Sequence, residues 1–452
     1  MTDTTIAAVS TGLQPSGICI VRMSGPDAVR IADTVYRGKK KLGQVKSHTI
    51  HYGFIYEEEN DLDEVLVSVM RAPHTFTGED IVEINCHGGI LVAKRVLELL
   101  FQKGAVPAEP GEFTKRAFLN GRMDLSRAEA VIDVIDAKNE FALKASVSQL
   151  KGAVSEKIRA LRNSILDEVS FIEAALDDPE HYDISDYGET LREKVLPMRE
   201  ELQEMIRRAD FGSMLKEGVR TVIAGRPNAG KSSVLNILAG YEKAIVTEVA
   251  GTTRDVLEVP VLLQNISLIL MDTAGIRDTE DTVEKIGVDR AKSALRDADL
   301  VIYVADGTQG LTEEDHALLK ELQDKQQILL YNKADLYDPE NTGKDLPEGA
   351  IRFSAATREG LKALEDRITE LYDAESLQYN DQVVITNARQ KALLQDAEKA
   401  LALVLQGIDD EMSEEFLTID LMNAYASLGA IIGEEVGDDV IDRVFEKFCM
   451  GK

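Results

Sequence analysis

The chain has 452 residues, 80 of them acidic and 51 basic, for a formal net charge of −29. That length provides core volume for roughly two to four domains, and three cysteines exclude a disulfide scaffold and fit a reducing compartment. The acidity argues against a free-standing nucleic-acid binder, which carries a basic footprint, though not against RNA contact through a small basic patch or a basic partner. No apolar run approaches the roughly 18 residues that span a bilayer. Met1–Ser10 carries Asp3 and no basic cluster, unlike a signal peptide. The expectation is a soluble, cytoplasmic, multidomain protein with no membrane association.

Residues 1–118 mix short strand-like runs with glycine- and proline-bearing turns. Ile18–Met23, Val65–Met70 and Ile81–Asn85 read as strands and Gly89–Lys103 as a helix, giving an α+β domain. From Leu125 the period becomes helical. Val147, Leu150, Val154, Ile158, Leu161, Ile165, Val169 and Ile172 recur at steps of three and four, which predicts one long bundle helix ended by aspartates and Pro179. A second helix is expected over Glu189–Asp210. Residues 217–376 then alternate strand and helix, the pattern of an open parallel sheet, with strands at Arg220–Ala224, Ile266–Met271, Leu300–Ala305, Ile328–Tyr331 and Ala350–Phe353. Helical periodicity returns from Thr386. The economical fold is multidomain: an N-terminal α+β domain (1–118) and an all-α helical domain (119–216 and 377–452) interrupted by an inserted α/β P-loop domain of Ras-like class (217–376).

Gly225-Arg226-Pro227-Asn228-Ala229-Gly230-Lys231-Ser232 matches G-x-x-x-x-G-K-[ST] between an apolar strand and a helical stretch. Its backbone N–H groups, from Asn228 to Ser233, would converge on phosphate at a helix N-terminus. Lys231 would reach the β- and γ-phosphates and Ser232 would bind Mg²⁺. Asp272-Thr273-Ala274-Gly275 follows a strand, where Asp272 can hold Mg²⁺ through water and Gly275 can meet the γ-phosphate. Asn332-Lys333-Ala334-Asp335 follows another, and Asp335 can accept from the N1–H and 2-amino group that guanine offers and adenine does not. Ser354-Ala355-Ala356 supplies a backbone donor for the guanine O6. Four elements in this order point to GTP.

Hydrolysis is a separate question. Ile276 occupies the position after D-x-x-G where many GTPases carry a water-orienting Gln, so another group positions water or turnover is poor. Glu284 is a candidate base, although its spacing alone favours a solvated loop carboxylate. Arg254 and Arg277 lie near in sequence without a readable direction. Asn228 and the oxygen-rich Thr247–Thr253 stretch, including Thr252 and Thr253, could hold a monovalent cation against the phosphates.

Gly251-Thr252-Thr253-Arg254-Asp255, the Asn228-bearing loop and apolar Ile276 resemble the potassium-dependent bacterial GTPases of the TrmE-Era type. Phe448-Cys449-Met450-Gly451-Lys452 resembles the terminal F-C-[aliphatic]-G-K of the MnmE (TrmE) family of tRNA-modification GTPases. The blocks Phe76–Asp80, Cys86–Gly89 and Pro110–Gly121 are similar to it as well, so the resemblance covers the whole chain. It implies a homodimer, joined through a folate-binding N-terminal domain, that works with the flavoprotein MnmG in a heterotetramer or larger complex. The implied activity adds an aminomethyl or carboxymethylaminomethyl group to C5 of the wobble uridine of certain tRNAs. The implied cofactors are GTP, Mg²⁺, K⁺ and a tetrahydrofolate carbon donor (5-formyl- or 5,10-methylene-THF). By the same resemblance, folate contacts fall on Arg22, Glu83, Arg122 and Lys452, and K⁺ ligands on Asn228, Thr247, Val249 through its backbone, and Thr252. Mg²⁺ falls on Ser232 and Thr253, and the hydrolytic carboxylate on Glu284. Cations suit a folate's glutamate tail and a carboxylate its pterin edge.

Cys449 is either a small buried hydrophobe or a reactive thiol beside the Lys452 ammonium, and the resemblance implies that modification requires it. Gly451 and Lys452 do not fit a prenylation box, and Cys86, His87 and Cys449 lack metal-ligand spacing. Two residues depart from the family pattern: Arg122 stands where some members carry Lys, and Gln390 where a His is expected. The alternative functions are a ribosome-assembly GTPase switch that modifies nothing and a GTP sensor that does not hydrolyse.

Overall fold

The computed structural model describes residues 4–178, 181, 187–240, 258–263, 266–271, 294–337, 347–372, 384–448 and 451. They form two compact units: residues 1–132, 149–200 and 392–452 in one, and 133–148 and 201–391 in the other.

The first unit is built on a seven-stranded sheet. Its strands are β1 (Ile6–Val9), β2 (Ser16–Ser24), β3 (Tyr36–Gly38), β4 (Thr49–Glu57), β5 (Asn60–Met70), β6 (Ile81–Gly88) and β7 (Val106–Pro107), in the spatial order β3-β4-β5-β6-β2-β1-β7. Alternation decides which face is covered. Val65, Val67 and Val69 of β5, with Val82, Ile84 and Cys86 of β6, point into one core. Helices α1 (Ala28–Val35) and α2 (Ile90–Gln102) close that core with Ile31, Val35, Val96 and Leu100. The opposite face keeps Ile18, Ile50, Tyr52 and Leu66 exposed. The three expected strands and the expected helix are all present. The hairpin partner β4 and the strands β1, β3 and β7 were not legible, because their runs are short or interrupted by His51 and Gly53.

After α3 (Glu112–Leu119) and α4 (Leu125–Ile135), the predicted single long helix is in fact two, α5 (Glu140–Lys151) and α6 (Ala153–Asp177). The break is Gly152, at φ 105°. A left-handed residue cannot continue an α-helix, yet the apolar spacing resumes beyond it, so periodicity alone could not report the break. On α6, Val154, Ile158, Leu161, Ile165, Val169 and Ile172 are buried as expected, and the helix packs along the Glu414–Ile432 helix. Arg162 lies over the Tyr425 ring at 3.9 Å and pairs with Glu434 and Glu435, carrying a cation into an otherwise apolar seam. Helix α7 (Tyr187–Glu217) runs beyond the predicted Asp210 and accommodates Pro197.

The second unit holds a six-stranded sheet: β8 (Val219–Ala224), β9 (Glu258–Leu263), β10 (Ile266–Met271), β11 (Leu300–Asp306), β12 (Gln326–Asn332) and β13 (Ile351–Arg352), ordered β13-β12-β11-β8-β10-β9. All seven residues of β11 are buried, as a central parallel strand requires. The five predicted strands are present and mutually parallel, but the sheet is mixed, because β9 pairs antiparallel with β10. Two residues separate these strands, a connection that admits only antiparallel pairing. Among the described residues no helix is long and apolar enough to cross a membrane.

Gly152→Ala tests the break. Ala is the better helix former, but at this φ it should destabilise the first unit by about 1–2 kcal/mol. Urea unfolding measures it, and a stabilised variant would show that the backbone does not impose the break.

Candidate functional site

The phosphate loop joins β8 to α8 (Lys231–Ala239), so its N–H groups gather at a helix N-terminus and at the carboxyl end of a central parallel strand. Asn228 sits at φ 61° and Gly230 at φ 104°. A Cβ on Gly230 would lie 2.0 Å from Asn332 Nδ2, so only glycine permits this approach. Ala229 is buried, whereas Asn228, Ser232 and Ser233 are exposed along the loop and first helical turn. Lys231 Nζ donates to the Gly225 and Arg226 carbonyls at 2.9 Å each, and burial pulls its ammonium below the ordinary lysine value.

The second wall comes from the ends of β12 and β13. Asn332 is 2% exposed and joins two loops. Its Nδ2 donates to the Ala229 carbonyl at 2.8 Å, and its Oδ1 accepts from the Ala355 N–H at 3.0 Å. Lys333, at φ 64°, donates to Asp306 Oδ2 at 2.6 Å. Asp335 is exposed and accepts from the Ser354 hydroxyl at 2.5 Å, while Ser354 itself is fully buried. The phosphate loop, Asp306, Asn332–Asp335 and Ser354–Ala355 thus meet at the carboxyl ends of β8, β11, β12 and β13. The Ala355 N–H, one of the backbone donors of the Ser354-Ala355-Ala356 stretch expected to serve guanine O6, is the group that Asn332 engages.

Sequence reasoning missed Asp306. Burial raises its carboxyl, but hydrogen bonds from Lys333 and from the Thr308 hydroxyl and N–H overcome this, leaving it below the ordinary aspartate value. Its signal was available: an acidic residue at the carboxyl end of a wholly apolar strand, where α/β sheets bind ligands.

In the first unit, Arg22 and Glu83 are cross-strand partners on β2 and β6. Nε and Nη2 of Arg22 both donate to Glu83 Oε1 at 2.8 Å. Arg22 lies 5.7 Å from the Phe113 ring centroid, and its Nη1 reaches the Gly451 carbonyl at 3.5 Å. Ser10 Oγ donates to that same carbonyl at 3.0 Å, so Gly451 lies beside β1 and β2. Arg122 is held elsewhere, its Nε donating to the Thr75 carbonyl at 2.9 Å beside the Phe76–Asp80 block. Cys86 is buried next to Cys19, and burial first, then Cys19 and Asp63, push its thiol up to about 12, which leaves it without thiolate character.

Thr247, Val249, Thr252, Thr253, Asp272, Thr273, Ala274, Gly275, Glu284, Cys449 and Lys452 lie outside the described residues, as do Arg254, Ile276 and Arg277.

The description "MnmE helical domain" matches residues 125–449, and "GTP-binding protein TrmE N-terminus" matches residues 5–122. The chain is 50% identical to the tRNA modification GTPase MnmE of Lachnoclostridium phytofermentans over 100% of both chains. It is 46% identical to that of Acetivibrio thermocellus, over 100% of this chain and 99% of the other. With that of Bacillus subtilis the identity is 44%, over 99% of this chain and 100% of the other. Among solved structures, the G domain of the T. maritima FeoB iron transporter aligns with 34% of this chain and 98% of its own, at 30% identity and a TM-score of 0.25.

Asn332→Ala would leave the buried Ala229 carbonyl and Ala355 N–H without their partner. It should cost about 1–3 kcal/mol of stability and weaken GTP and GDP binding at least about tenfold, read by fluorescent-nucleotide titration. The depressed carboxyl of Asp306 contributes stability above the unfolded value of about 3.9, and that contribution is lost as pH falls through the lower folded value. Asp306→Asn should therefore be the less stable protein at pH 7, with the difference closing below about pH 4 in pH-dependent urea unfolding.

Proposed function

Because the chain belongs to the MnmE family of tRNA modification GTPases, we propose that it hydrolyses GTP with Mg²⁺ and K⁺ to modify C5 of the wobble uridine of certain tRNAs, in complex with the flavoprotein MnmG. The observation that carries the GTPase part of this reading is the Asn332 side chain, which ties the phosphate loop to the Ser354–Ala355 loop at the end of the parallel sheet.

In this reading the loop N–H groups from Asn228 to Ser233 hold the phosphates, and Lys231 exchanges its two loop carbonyls for the β- and γ-phosphate oxygens. Ser232, exposed at the start of α8, suits a hard cation, and with Thr253 it would hold Mg²⁺, which neutralises charge on the phosphates. Asp335 accepts from the guanine N1–H and 2-amino group, with Ser354 fixing its carboxylate. Guanine O6 competes with Asn332 for the Ala355 N–H. Asn228, with Thr247, the Val249 carbonyl and Thr252, would hold K⁺ in place of an arginine finger. Asp272, Thr273, Ala274 and Gly275 would face the γ-phosphate, and Glu284 would orient the attacking water.

Residues 1–118 are proposed to bind tetrahydrofolate and to join two protomers. The Arg22–Glu83 pair offers a cation and a carboxylate side by side next to Gly451, a donor set suited to a ligand with an anionic tail and a pterin edge. Arg122 and Lys452 would add charge for the glutamate tail, and Cys449 would act at the carbon-transfer step. The exposed apolar face carrying Ile18, Ile50, Tyr52 and Leu66 supports pairing with a second copy.

GTP turnover should be several-fold faster in KCl than in NaCl, and absence of turnover in both salts would favour the non-hydrolysing sensor. In cells lacking the protein, nucleoside mass spectrometry of bulk tRNA should find the C5-aminomethyl-type uridines gone, restored by the wild type and not by Cys449→Ser. Their persistence would favour the ribosome-assembly switch.

A further inference from the structure

Arg226, the second residue of the phosphate loop, belongs to no nucleotide-contacting position assigned above. Its side chain turns away to a carboxylate inside the fold. Arg226 Nε lies 3.1 Å from each oxygen of Asp315, a residue with no exposed surface. Three further donors serve that carboxylate: the Tyr303 hydroxyl from β11 at 2.7 Å, and the Thr312 N–H and hydroxyl at 2.8 Å each. Asp315 is also the third residue of the Glu313–Glu321 helix, whose capping box it forms with Thr312. Burial raises its carboxyl, yet these donors and Arg226 together hold it below the ordinary value, so it stays ionised. A buried carboxylate with four donors is a fixed point, because any displacement leaves a charge short of partners in a low-dielectric interior. The backbone of Arg226 faces the other way, its carbonyl accepting from Lys231 Nζ at 2.9 Å. One residue therefore connects a rigid interior charge to the phosphate-binding ammonium.

We propose that Arg226 and Asp315 are positioning residues for nucleotide binding: Asp315 clamps the Arg226 guanidinium, and the clamped Arg226 sets the phosphate loop and the Lys231 ammonium at the spacing a nucleoside diphosphate or triphosphate requires. This rests on the assignment of Gly225–Ser232 as the phosphate site. Neither residue touches nucleotide. The clamp acts before binding, by removing loop conformations that would otherwise have to be lost when the phosphates arrive.

The test titrates the full-length chain with ribose-labelled fluorescent GDP and follows GTP turnover. Arg226→Ala is the informative variant, because Asp315 keeps its three remaining donors and the unit stays folded, which circular dichroism checks. It should raise the GDP Kd about tenfold and raise the GTP KM similarly, with kcat within about twofold of wild type. Arg226→Lys should recover part of the loss, since an ammonium meets the carboxylate without the guanidinium fork. Combined with Asp315→Asn, Arg226→Ala should weaken binding no further than the weaker single variant, the non-additivity of two residues acting as one unit. Should Asp315→Asn fail to fold, the Arg226→Ala and Arg226→Lys pair carries the test alone. Wild-type affinity in Arg226→Ala, while Lys231→Ala has lost binding, overturns the clamp and leaves the phosphate site standing. Additive losses in the double variant also overturn it. Undiminished binding by Lys231→Ala overturns the phosphate site and the clamp together.

Discussion

The candidate nucleotide site depends on one buried carboxamide. Asn332 has a donor and an acceptor on a short, stiff side chain, and both are used: one on the phosphate loop, the other on the loop after β13. Burial makes the arrangement demanding, because an amide taken out of water costs several kcal/mol unless its groups are paired. The two loops are thereby held at a fixed separation, and Gly230 is what lets the amide approach so closely. Lys333 and Asp335 follow the same strand end, so their distance from the phosphate loop follows from the strand order β12-β11-β8 in the sheet.

The first unit solves a different problem, which is to keep a charged pair on a sheet. Arg22 and Glu83 face each other across neighbouring strands, with Phe113 against the guanidinium and the Gly451 carbonyl at its edge. A lone arginine here would be poorly solvated. The pair, the ring and the carbonyl together keep it oriented. The Ser10 hydroxyl also donates to the Gly451 carbonyl, so this one backbone group is shared between the strand that carries Arg22 and the end of its neighbour β1.

Charge is treated similarly in both units. The chain is strongly acidic, yet among the described residues several buried charges are paired and hydrogen-bonded: Arg116 with Glu79 and Glu112, Asp133 with Lys216, Asp315 with Arg226. Such pairs contribute little net stability against apolar replacements, but breaking one is costly, so they favour one arrangement over its neighbours. The chain as a whole keeps a net charge of −29. A tRNA would therefore be met through local basic groups or through a partner.

Much of the fold and of the nucleotide site was legible because it is local. A strand, a phosphate loop and a helix follow one another in residues 219–239, and their geometry depends on near neighbours, glycine placement and apolar spacing. The same holds for the strand-end positions of Asn332 and Ser354. What tertiary structure decided are pairings between distant residues and departures the periodicity does not encode. Asn332 and Ala229 are 103 residues apart, Arg226 and Asp315 are 89 apart, and Ser10 and Gly451 are 441 apart. The break at Gly152 and the antiparallel β9 escaped notice for a related reason. Apolar spacing reports which side of an element is buried, but not whether the chain turns within it or in which direction a strand runs. Those are settled when the sheets and helices pack and each buried polar group must find a partner.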